Sequence, residues 1–214
     1  MHTKGITFGN YHSYRDFGLI LSSKVIGAPS PKTELIDIPG GDGVLDLTEF
    51  FGEVKYNNRT LTFEFSTIVP QSEFMTLFSR VQNALHGQKM QITLDEDPEW
   101  YYIGRLSVSE WKAEKRIGKL TVECDCEPFK YRLTSKTVDL GTEQEATVTF
   151  HNTRKPAIPT MYVHGDVTVE SPSTFITLSE GKQILPEFVF HKGENALTFK
   201  GNGVVVVEWK EGGL

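Results

Sequence analysis

Regular alternation of apolar and polar residues is the feature of this sequence that most limits the folds open to it. Residues 61 to 66 read LTFEFS. In an extended strand, Leu61, Phe63 and Phe65 point to one face and the polar residues to the other, so one face is buried and one is wet. Strand-like patterns also cover Gly5 to Ile26, Val44 to Ile68, Met90 to Leu94, Tyr101 to Trp111 and Lys119 to Cys126. The sequence therefore predicts a mainly β fold.

One helix is predicted within this pattern, from about Ser72 to His86. Its apolar residues form a single stripe at helical spacing: Phe74, Leu77, Phe78, Val81 and Leu85. Ser72 is a favourable N-cap, and Gly87 is a favourable terminator. We expect the stripe to dock on a sheet, which makes the N-terminal half an α+β domain with one helix.

The second half of the chain changes character after Arg132. Short alternating runs cover Thr147–Phe150, Met161–His164, Asp166–Glu170, Phe175–Leu178, Glu187–Phe190, Ala196–Phe199 and Val204–Trp209. About seven strands at a spacing of roughly ten residues indicate a β-sandwich. We therefore predict two domains, 1–132 and 133–214.

Charge and hydropathy exclude two classes of partner. The chain has 214 residues, with 22 basic residues scattered among 28 acidic ones and a formal net charge of −6. Phosphate binding needs clustered Lys and Arg, so specific nucleic-acid binding is not expected. The start MHTKGITFGN has no apolar segment, and no run reaches the roughly 18 apolar residues that a membrane span needs. We expect the protein to be made and to stay soluble, without membrane insertion.

Two turn-forming stretches precede the alternating strand. Ala28-Pro29-Ser30-Pro31 restricts the backbone at consecutive positions, and the stretch from Pro39 to Gly43 favours a sharp reversal. Together they predict a rigid, projecting hairpin. The glycines of this turn lack the Lys-Ser/Thr that follows a phosphate-binding loop.

No catalytic, cofactor-binding or metal-binding residue is predicted. The acidic run from Asp95 to Asp97 precedes Pro98 and favours a turn over an active site, because adjacent residues of an extended segment point to opposite faces. Cys124 and Cys126 share one strand face, where a bridge would be strained, so we expect reduced thiols. No second Cys or His pair completes a zinc site. The dispersed histidines are expected at the surface or in turns: His2, His12, His86, His151, His164 and His191.

Three aromatic residues follow the acidic turn, at Trp100, Tyr101 and Tyr102. By alternation, Trp100 and Tyr102 share one face, and Tyr101 takes the other. Exposed aromatic rings can stack on sugars or anchor a subunit interface. At least one side is expected to be a core or an interface.

The order of several motifs resembles that of phage distal tail proteins, the ring-forming baseplate hub subunits of long, non-contractile tails. The resemblance covers roughly the first 130 residues. It rests on SYRDFGL from Ser13, the turn from Pro39 to Gly43, LDLTE from Leu45, NRTL from Asn58, LDEDPEWYYIGRL from Leu94 and CDCEPFKYR from Cys124.

The resemblance implies a non-enzymatic virion structural protein at the distal end of the tail, assembled in the host cytoplasm. It implies that 1–132 is a ring-forming belt domain and 133–214 a galectin-like β-sandwich. The expected assembly is a homo-hexamer that joins the tail tube protein to the tail-tip or fibre protein. Tape-measure and receptor-binding proteins are further candidate partners in host attachment.

Two other functions stay open at this stage. A carbohydrate-binding sandwich module would use the aromatic-rich turn for adhesion to the host surface. A small hydrolase would use the acidic run, but glycoside hydrolysis needs two acids about 5 to 10 Å apart across a sugar. Hydrolysis is therefore the weakest of the three.

Overall fold

Burial alternates along the strands as the sequence predicts. In the computed structural model, which describes residues 4–50, 52–114, 117–141 and 144–214, Leu61, Phe63 and Phe65 are buried between more exposed neighbours. The fold is mainly β, which confirms the predicted class. The chain divides into two units, Met1–Lys130 and Tyr131–Leu214, each with its own apolar core.

In the described residues of the first unit there are nine strands and two α-helices. In chain order they are β1 (Ile6–Phe8), β2 (Tyr11–His12), α1 (Ser13–Phe17), β3 (Ile20–Ile26), β4 (Leu35–Asp37), β5 (Val44–Asp46), β6 (Arg59–Thr67), α2 (Phe74–Leu85), β7 (Lys89–Leu94), β8 (Tyr101–Glu114) and β9 (Ile117–Cys126). Seven strands form one antiparallel sheet in the order β3-β6-β9-β8-β7-β1-β2. The pair β4-β5 stands apart from it.

The predicted helix is confirmed as α2, but its start differs from the prediction. A 3-10 turn, Gln71–Glu73, precedes α2, so Ser72 lies inside that turn and does not cap the helix. Gly87, with φ +77°, lies just beyond the end, as expected of a terminator. The stripe packs into the core, with Leu77, Val81 and Leu85 buried.

A second, short helix was not predicted. The sequence pattern indicates a strand from Gly5 to Ile26, but α1 interrupts it after β2. His12 caps α1, because its Nδ1 accepts hydrogen bonds from the backbone N–H groups of Tyr14 (3.2 Å) and Arg15 (3.1 Å). Gly18 ends the helix in the left-handed conformation, with φ 66°.

The part of the second unit that the structure describes contains six strands. They are β10 (Lys130–Asp139), β11 (Glu145–Asn152), β12 (Thr160–Ser171), β13 (Thr174–Leu178), β14 (Gly181–Ile184) and β15 (Gly193–Gly213). β15 pairs with β11 and β12, and the other edge of β12 pairs with β13 and β14, all antiparallel. Stacked rings of Phe150 and Phe190, with centroids 5.0 Å apart, and the edge of Trp209 lie at the core.

The predicted strand boundaries in this unit are partly wrong. Met161–His164 and Asp166–Glu170 belong to one strand, as do Ala196–Phe199 and Val204–Trp209, and Glu187–Phe190 contributes only an isolated bridge. The sequence pattern divides these two long strands at glycines, because glycine weakens the interior of a strand and often marks a bulge or a bend. Here Gly165 pairs with Gly203 inside the β12-β15 ladder, and the strands continue through it.

Close backbone approach explains these glycines. A Cβ on Gly201 would lie 2.1 Å from the carbonyl oxygen of Asp166, and one on Gly203 would lie 2.1 Å from that of His164. Gly201 also has φ +126°, a conformation that L-residues rarely adopt. Only glycine therefore fits at these positions, where the backbones of β12 and β15 come so close.

We predict that Gly201→Ala lowers the free energy of unfolding by about 2 kcal/mol or more beyond the cost of Gly193→Ala. Gly193 is the matched control on the same strand: its φ is +95°, but nothing lies within 4 Å of an added Cβ. Urea unfolding of both variants checks the difference. Equal losses would mean that φ alone, and not the backbone contact, requires the glycine.

A buried carboxylate joins three parts of the second unit. The Glu211 side chain is 2% exposed and accepts hydrogen bonds from Arg132 Nη2 at 2.7 Å, Thr134 Oγ1 at 3.2 Å and the Thr153 hydroxyl. Burial alone would raise the pKa of this carboxyl, but the bonds from Thr153, Arg132 and Thr134 and the charge of Arg132 outweigh burial and hold it below the ordinary value.

We predict that Glu211→Gln lowers the free energy of unfolding at neutral pH by about 2 to 3 kcal/mol, because it leaves Arg132 without its carboxylate. The folded-state pKa is lowered, so the stabilisation is present above the ordinary glutamate pKa and is lost as the pH falls through the folded value. The difference in the free energy of unfolding between Glu211→Gln and the native protein should therefore become smaller below about pH 4. Glu208→Gln, half-buried on the same strand, is the control. A gap that stayed constant with pH would contradict the role of the charge.

Candidate assembly surface

A two-stranded ribbon, which we call the arm, extends over residues 30–57. Its base is held by the backbone: Asn57 N–H donates to the Ser30 carbonyl at 2.9 Å, and Lys32 N–H donates to the Lys55 carbonyl at 2.8 Å. The Leu47 N–H continues the ribbon to the Glu34 carbonyl at 2.8 Å. The β4-β5 pair then forms the outer part, so the predicted hairpin is confirmed.

The tip of the arm reverses through glycine. Gly40 and Gly43 have φ +74° and +80°, and Gly41 N–H donates to the Ile38 carbonyl at 3.1 Å. Positive φ is favourable only for glycine at such positions. The turn residues that the sequence shows therefore have a purely conformational role here.

The arm has no core of its own. None of its described residues is buried, and six of the exposed ones are large and apolar: Leu35, Ile36, Ile38, Val44, Leu45 and Phe50. The most exposed is Phe50, at 71%. A lone two-stranded ribbon is marginally stable in water, and a contiguous exposed apolar patch marks an interaction site. The arm is thus the strongest candidate in the described chain for an assembly surface.

The register of β4 and β5 sorts the side chains of the arm onto two faces. Ile36 is opposite Leu45, so these two apolar residues share one face. The other face combines Leu35 with Asp46 and Val44 with Asp37. The arm therefore presents an apolar face backed by carboxylates.

Acidic charge is concentrated in the arm. Six carboxylates and two lysines between Lys32 and Lys55 give a net charge of −4, against −6 for the whole chain. Hydrogen bonds from the side chain and backbone N–H of Thr48 hold the pKa of Asp46 below its ordinary value, so this carboxylate is ionised at neutral pH. A partner of the arm is expected to be apolar with a basic group.

The acidic run after β7 forms a turn, as predicted, and its three carboxylates make separate contacts. Asp95 Oδ2 accepts from Gly5 N–H at 2.8 Å and from His12 Nε2 at 3.1 Å. Glu96 pairs with Lys24, and Asp97 Oδ2 accepts from Lys130 Nζ at 2.7 Å. Burial raises the pKa of Asp95, but the hydrogen bonds from His12 and Gly5 and the positive charge of Arg15 outweigh burial and lower it. The run ties the start of the chain to the sheet.

His12 contradicts the surface assignment of the histidines, since its side chain is only 7% exposed. Because its Nδ1 accepts two backbone N–H bonds, its Nε2 carries the proton and donates to Asp95. His86, His151, His164 and His191 are exposed, as predicted, and His2 lies outside the described residues. No sequence signal marks His12, because both of its roles depend on residues that only folding brings near.

One of the three aromatic residues after the turn belongs to the core, as the sequence predicts. Tyr102 is buried, with the Arg59 guanidinium 5.2 Å from its ring centroid. Trp100 precedes β8 and is half-buried, with Lys130 Nζ 4.9 Å from its ring. Burial and the nearby charge of Glu127 raise the pKa of Tyr101. The proposed interface role of these rings stays a prediction.

Both cysteines are unbonded and buried in the first core, which confirms the expectation of reduced thiols. Burial, together with the neighbouring Cys126 and Glu123, raises the pKa of Cys124. Burial and Asp125 raise the pKa of Cys126 to about 12, despite the opposing charge of Arg59. Neither thiol is therefore a reactive nucleophile.

Within the described residues, no cluster of three or more His, Cys, Asp or Glu side chains has the arrangement of a metal site. In the same part of the chain, no helix combines the length and apolarity that crossing a membrane requires.

We predict that Leu45→Ser in the arm changes the free energy of unfolding of the monomer by no more than about 0.5 kcal/mol, because Leu45 contacts no core. Leu61→Ala in β6 should instead cost about 2 to 5 kcal/mol, since Leu61 is fully buried. Chemical unfolding at dilute concentration checks both variants. A large loss for Leu45→Ser would mean that the arm is part of the monomer's own folding unit.

Comparison with known proteins finds a solved structure with a similar fold. No protein-family model matches the chain, and no curated protein sequence matches it. Among solved structures, the chain resembles the Dit protein (gp 19.1) of phage SPP1 with a TM-score of 0.71, 14% sequence identity and coverage of 100% of both chains. That protein is described as a paradigm of the hub adsorption apparatus in phages that infect Gram-positive bacteria. The predicted resemblance to phage distal tail proteins is therefore confirmed for the fold, which this chain shares with SPP1 Dit over its whole length.

Proposed function

We propose that this protein is a non-enzymatic structural subunit at the distal end of a phage tail, where six copies form the baseplate hub ring. The observation that carries the proposal is the arm, an ordered ribbon whose apolar residues cover no core of their own chain. Its exposed apolar surface is stabilised only when another surface covers it. The shared fold with SPP1 Dit supports the choice of a tail hub as the assembly.

The arm is suited to the contacts that a ring needs. A closed ring is built from head-to-tail contacts, in which one patch of each copy meets a different patch of the next. β4 and β5 each pair with only one strand in the described chain, so each has an open edge. Strand addition at such an edge would give directional hydrogen bonds between neighbours.

The proposed partners follow from the position of a hub. The first unit, 1–132 in the predicted division, would form the ring between the tail tube protein and the tail-tip or fibre protein. The second unit, predicted as a galectin-like sandwich, would be a docking surface for receptor-binding proteins, and a tape-measure protein would end at the hub. Assembly in the host cytoplasm belongs to the same proposal. The acidic balance of the chain supports a hub that does not hold nucleic acid.

The alternative function, a carbohydrate-binding module, has one observation in its favour. Phe175 on β13 is 61% exposed and could stack on a sugar ring. No second exposed ring on the described strand β13 accompanies it. The alternative stays a prediction, and a glycan array probed with the whole chain would decide it.

We expect the purified protein to form six-fold rings with an open centre, and the double variant Ile36→Asp with Leu45→Asp to remain monomeric. Charges on the apolar face of the arm would have to be desolvated in the contact, which is costly. Light scattering across a concentration series, with negative-stain microscopy of the heaviest fraction, checks both.

The matched control is Ile184→Asp, an apolar residue of the second unit that is 62% exposed but lies outside the arm. Rings should survive this change. If rings persist in the arm variant, the arm is not needed for ring assembly. A native protein that is monomeric at every concentration would contradict self-assembly of the ring.

A further inference from the structure

The base of the arm encloses a buried positive charge. Arg59, two residues beyond the arm, is only 7% exposed. Its Nε donates to the Gly27 carbonyl at 2.7 Å, and its Nη1 donates to the Pro128 carbonyl at 3.4 Å. The guanidinium lies 5.2 Å from the ring centroid of Tyr102. In the described part of the chain, no carboxylate lies within ion-pair distance of Arg59. Backbone carbonyls and a ring face therefore hold this charge.

Arg59 joins both ends of the arm to a third segment. Gly27 precedes the arm, Arg59 follows it, and Pro128 lies in the link between β9 and β10. The Gly27 N–H also donates to the Thr60 carbonyl at 3.0 Å, and a Cβ on Gly27 would lie 2.7 Å from that oxygen. The two ends of the arm therefore meet so closely that a side chain at Gly27 has no room.

A ring contact from the same link reaches the arm itself. The ring of Tyr56, a half-buried residue, meets the Phe129 ring edge-to-face, with centroids 5.9 Å apart. An isolated bridge pairs Tyr56 with Pro31 on the other strand of the arm base. The link between β9 and β10 thus contacts the arm base through a backbone carbonyl and through a ring.

These contacts set a property that the ribbon cannot set for itself. Hydrogen bonds between its two strands hold the ribbon together, but they do not fix its direction relative to the sheet, from which the β4-β5 pair stands apart. Contacts to segments outside the arm are needed for that, and Arg59 and Tyr56 make them. A change of direction would pull the buried guanidinium from its carbonyls, which is costly for a charge away from water.

We propose that Arg59 is the positioning residue of the arm, which fixes the direction of the arm before any partner binds. The inference rests on the proposed function, since direction matters for assembly only if the arm meets a partner. An arm with a fixed direction loses little conformational freedom on binding. If only a tenth of the copies held the arm in the competent direction, the apparent dissociation constant would rise about tenfold.

Distances between two spin labels test the proposal. One label is attached at the tip of the arm, through Asp42→Cys, and the other on β7, through Gln91→Cys; both sites are exposed, and the native thiols are buried. Arg59→Lys keeps the charge but removes the planar fork that reaches both carbonyls, so the distance distribution should become at least about twice as wide. Dilution with unlabelled protein keeps the measured distances within one copy, and circular dichroism checks folding.

Arg80→Lys is the matched control. Arg80 also donates to one backbone carbonyl, that of Asp16 at 3.0 Å, and also lies over a ring, 5.6 Å from the Phe17 centroid, but it belongs to α2. This change should leave the arm distances as they are in the native protein. Labels at Gln91→Cys and Glu123→Cys, both on strands of the sheet, should show the same distribution in every variant.

Tyr56→Leu is a second variant that leaves the buried charge in place. It removes the ring contact with Phe129 at a half-buried site and should also widen the distribution between arm and sheet. If Arg59→Lys proves to be unfolded, this variant decides the proposal: wider distances support a fixed arm, and native distances overturn it.

Sedimentation velocity across a concentration series separates the two proposals. Wider arm distances together with about tenfold weaker self-association of Arg59→Lys support an arm that Arg59 positions for assembly. Native distances in folded Arg59→Lys would overturn this role and leave the hub intact, and so would wider distances with unchanged association. A native protein that stays monomeric at every concentration would contradict the self-assembling hub, while the distances would still decide whether Arg59 fixes the arm.

Discussion

Burial of one face of each antiparallel sheet is the constraint on which the rest of this structure depends. In the first unit, β6 and β9 turn alternate residues into one core, where the Phe8 ring lies 5.9 Å from that of Phe63, and α2 adds its stripe of Leu77, Val81 and Leu85. A strand with period-two burial cannot shift by one residue without exposing its apolar set, so the register is strongly determined. Loops and turns are arranged around that register.

The arm is the exception to this constraint, because its apolar residues are not buried by a sheet of the chain. Residues 30–57 leave the sheet between β3 and β6, and none of those that the structure describes is buried. Backbone hydrogen bonds order the ribbon, but Ile36 and Leu45 are 47% and 50% exposed, so much of their hydrophobic free energy is not realised within the chain. The concentration of carboxylates in this segment keeps an exposed apolar ribbon soluble until a complementary surface covers it. This combination distinguishes a surface for assembly from an ordinary loop.

Elements with a local signal were predictable, and those with distant causes were not. α2 shows a stripe at helical spacing, and β6 alternates, so each could be recognised from its own residues. α1 could not, because its cap is the His12 ring, which Asp95, 83 residues away, holds in place. The sequence pattern divides β12 and β15 at glycines, but in the structure each of these strands continues through its glycines. Whether glycine breaks a strand or lets two backbones cross depends on the partner strand, which no single segment shows.

By itself, the sequence determined the mainly β class, the position of the long helix, the reduced cysteines and the hairpin, because alternation, stripe and turn chemistry act over a few residues. Only the tertiary structure decided that the acidic run anchors the chain start, that Glu211 is a buried junction, and that the apolar residues of the hairpin remain uncovered. The physical reason is that burial and pairing depend on residues far apart in the chain. A pattern of residue types shows which side chains need cover, and the fold alone shows which of them lack it.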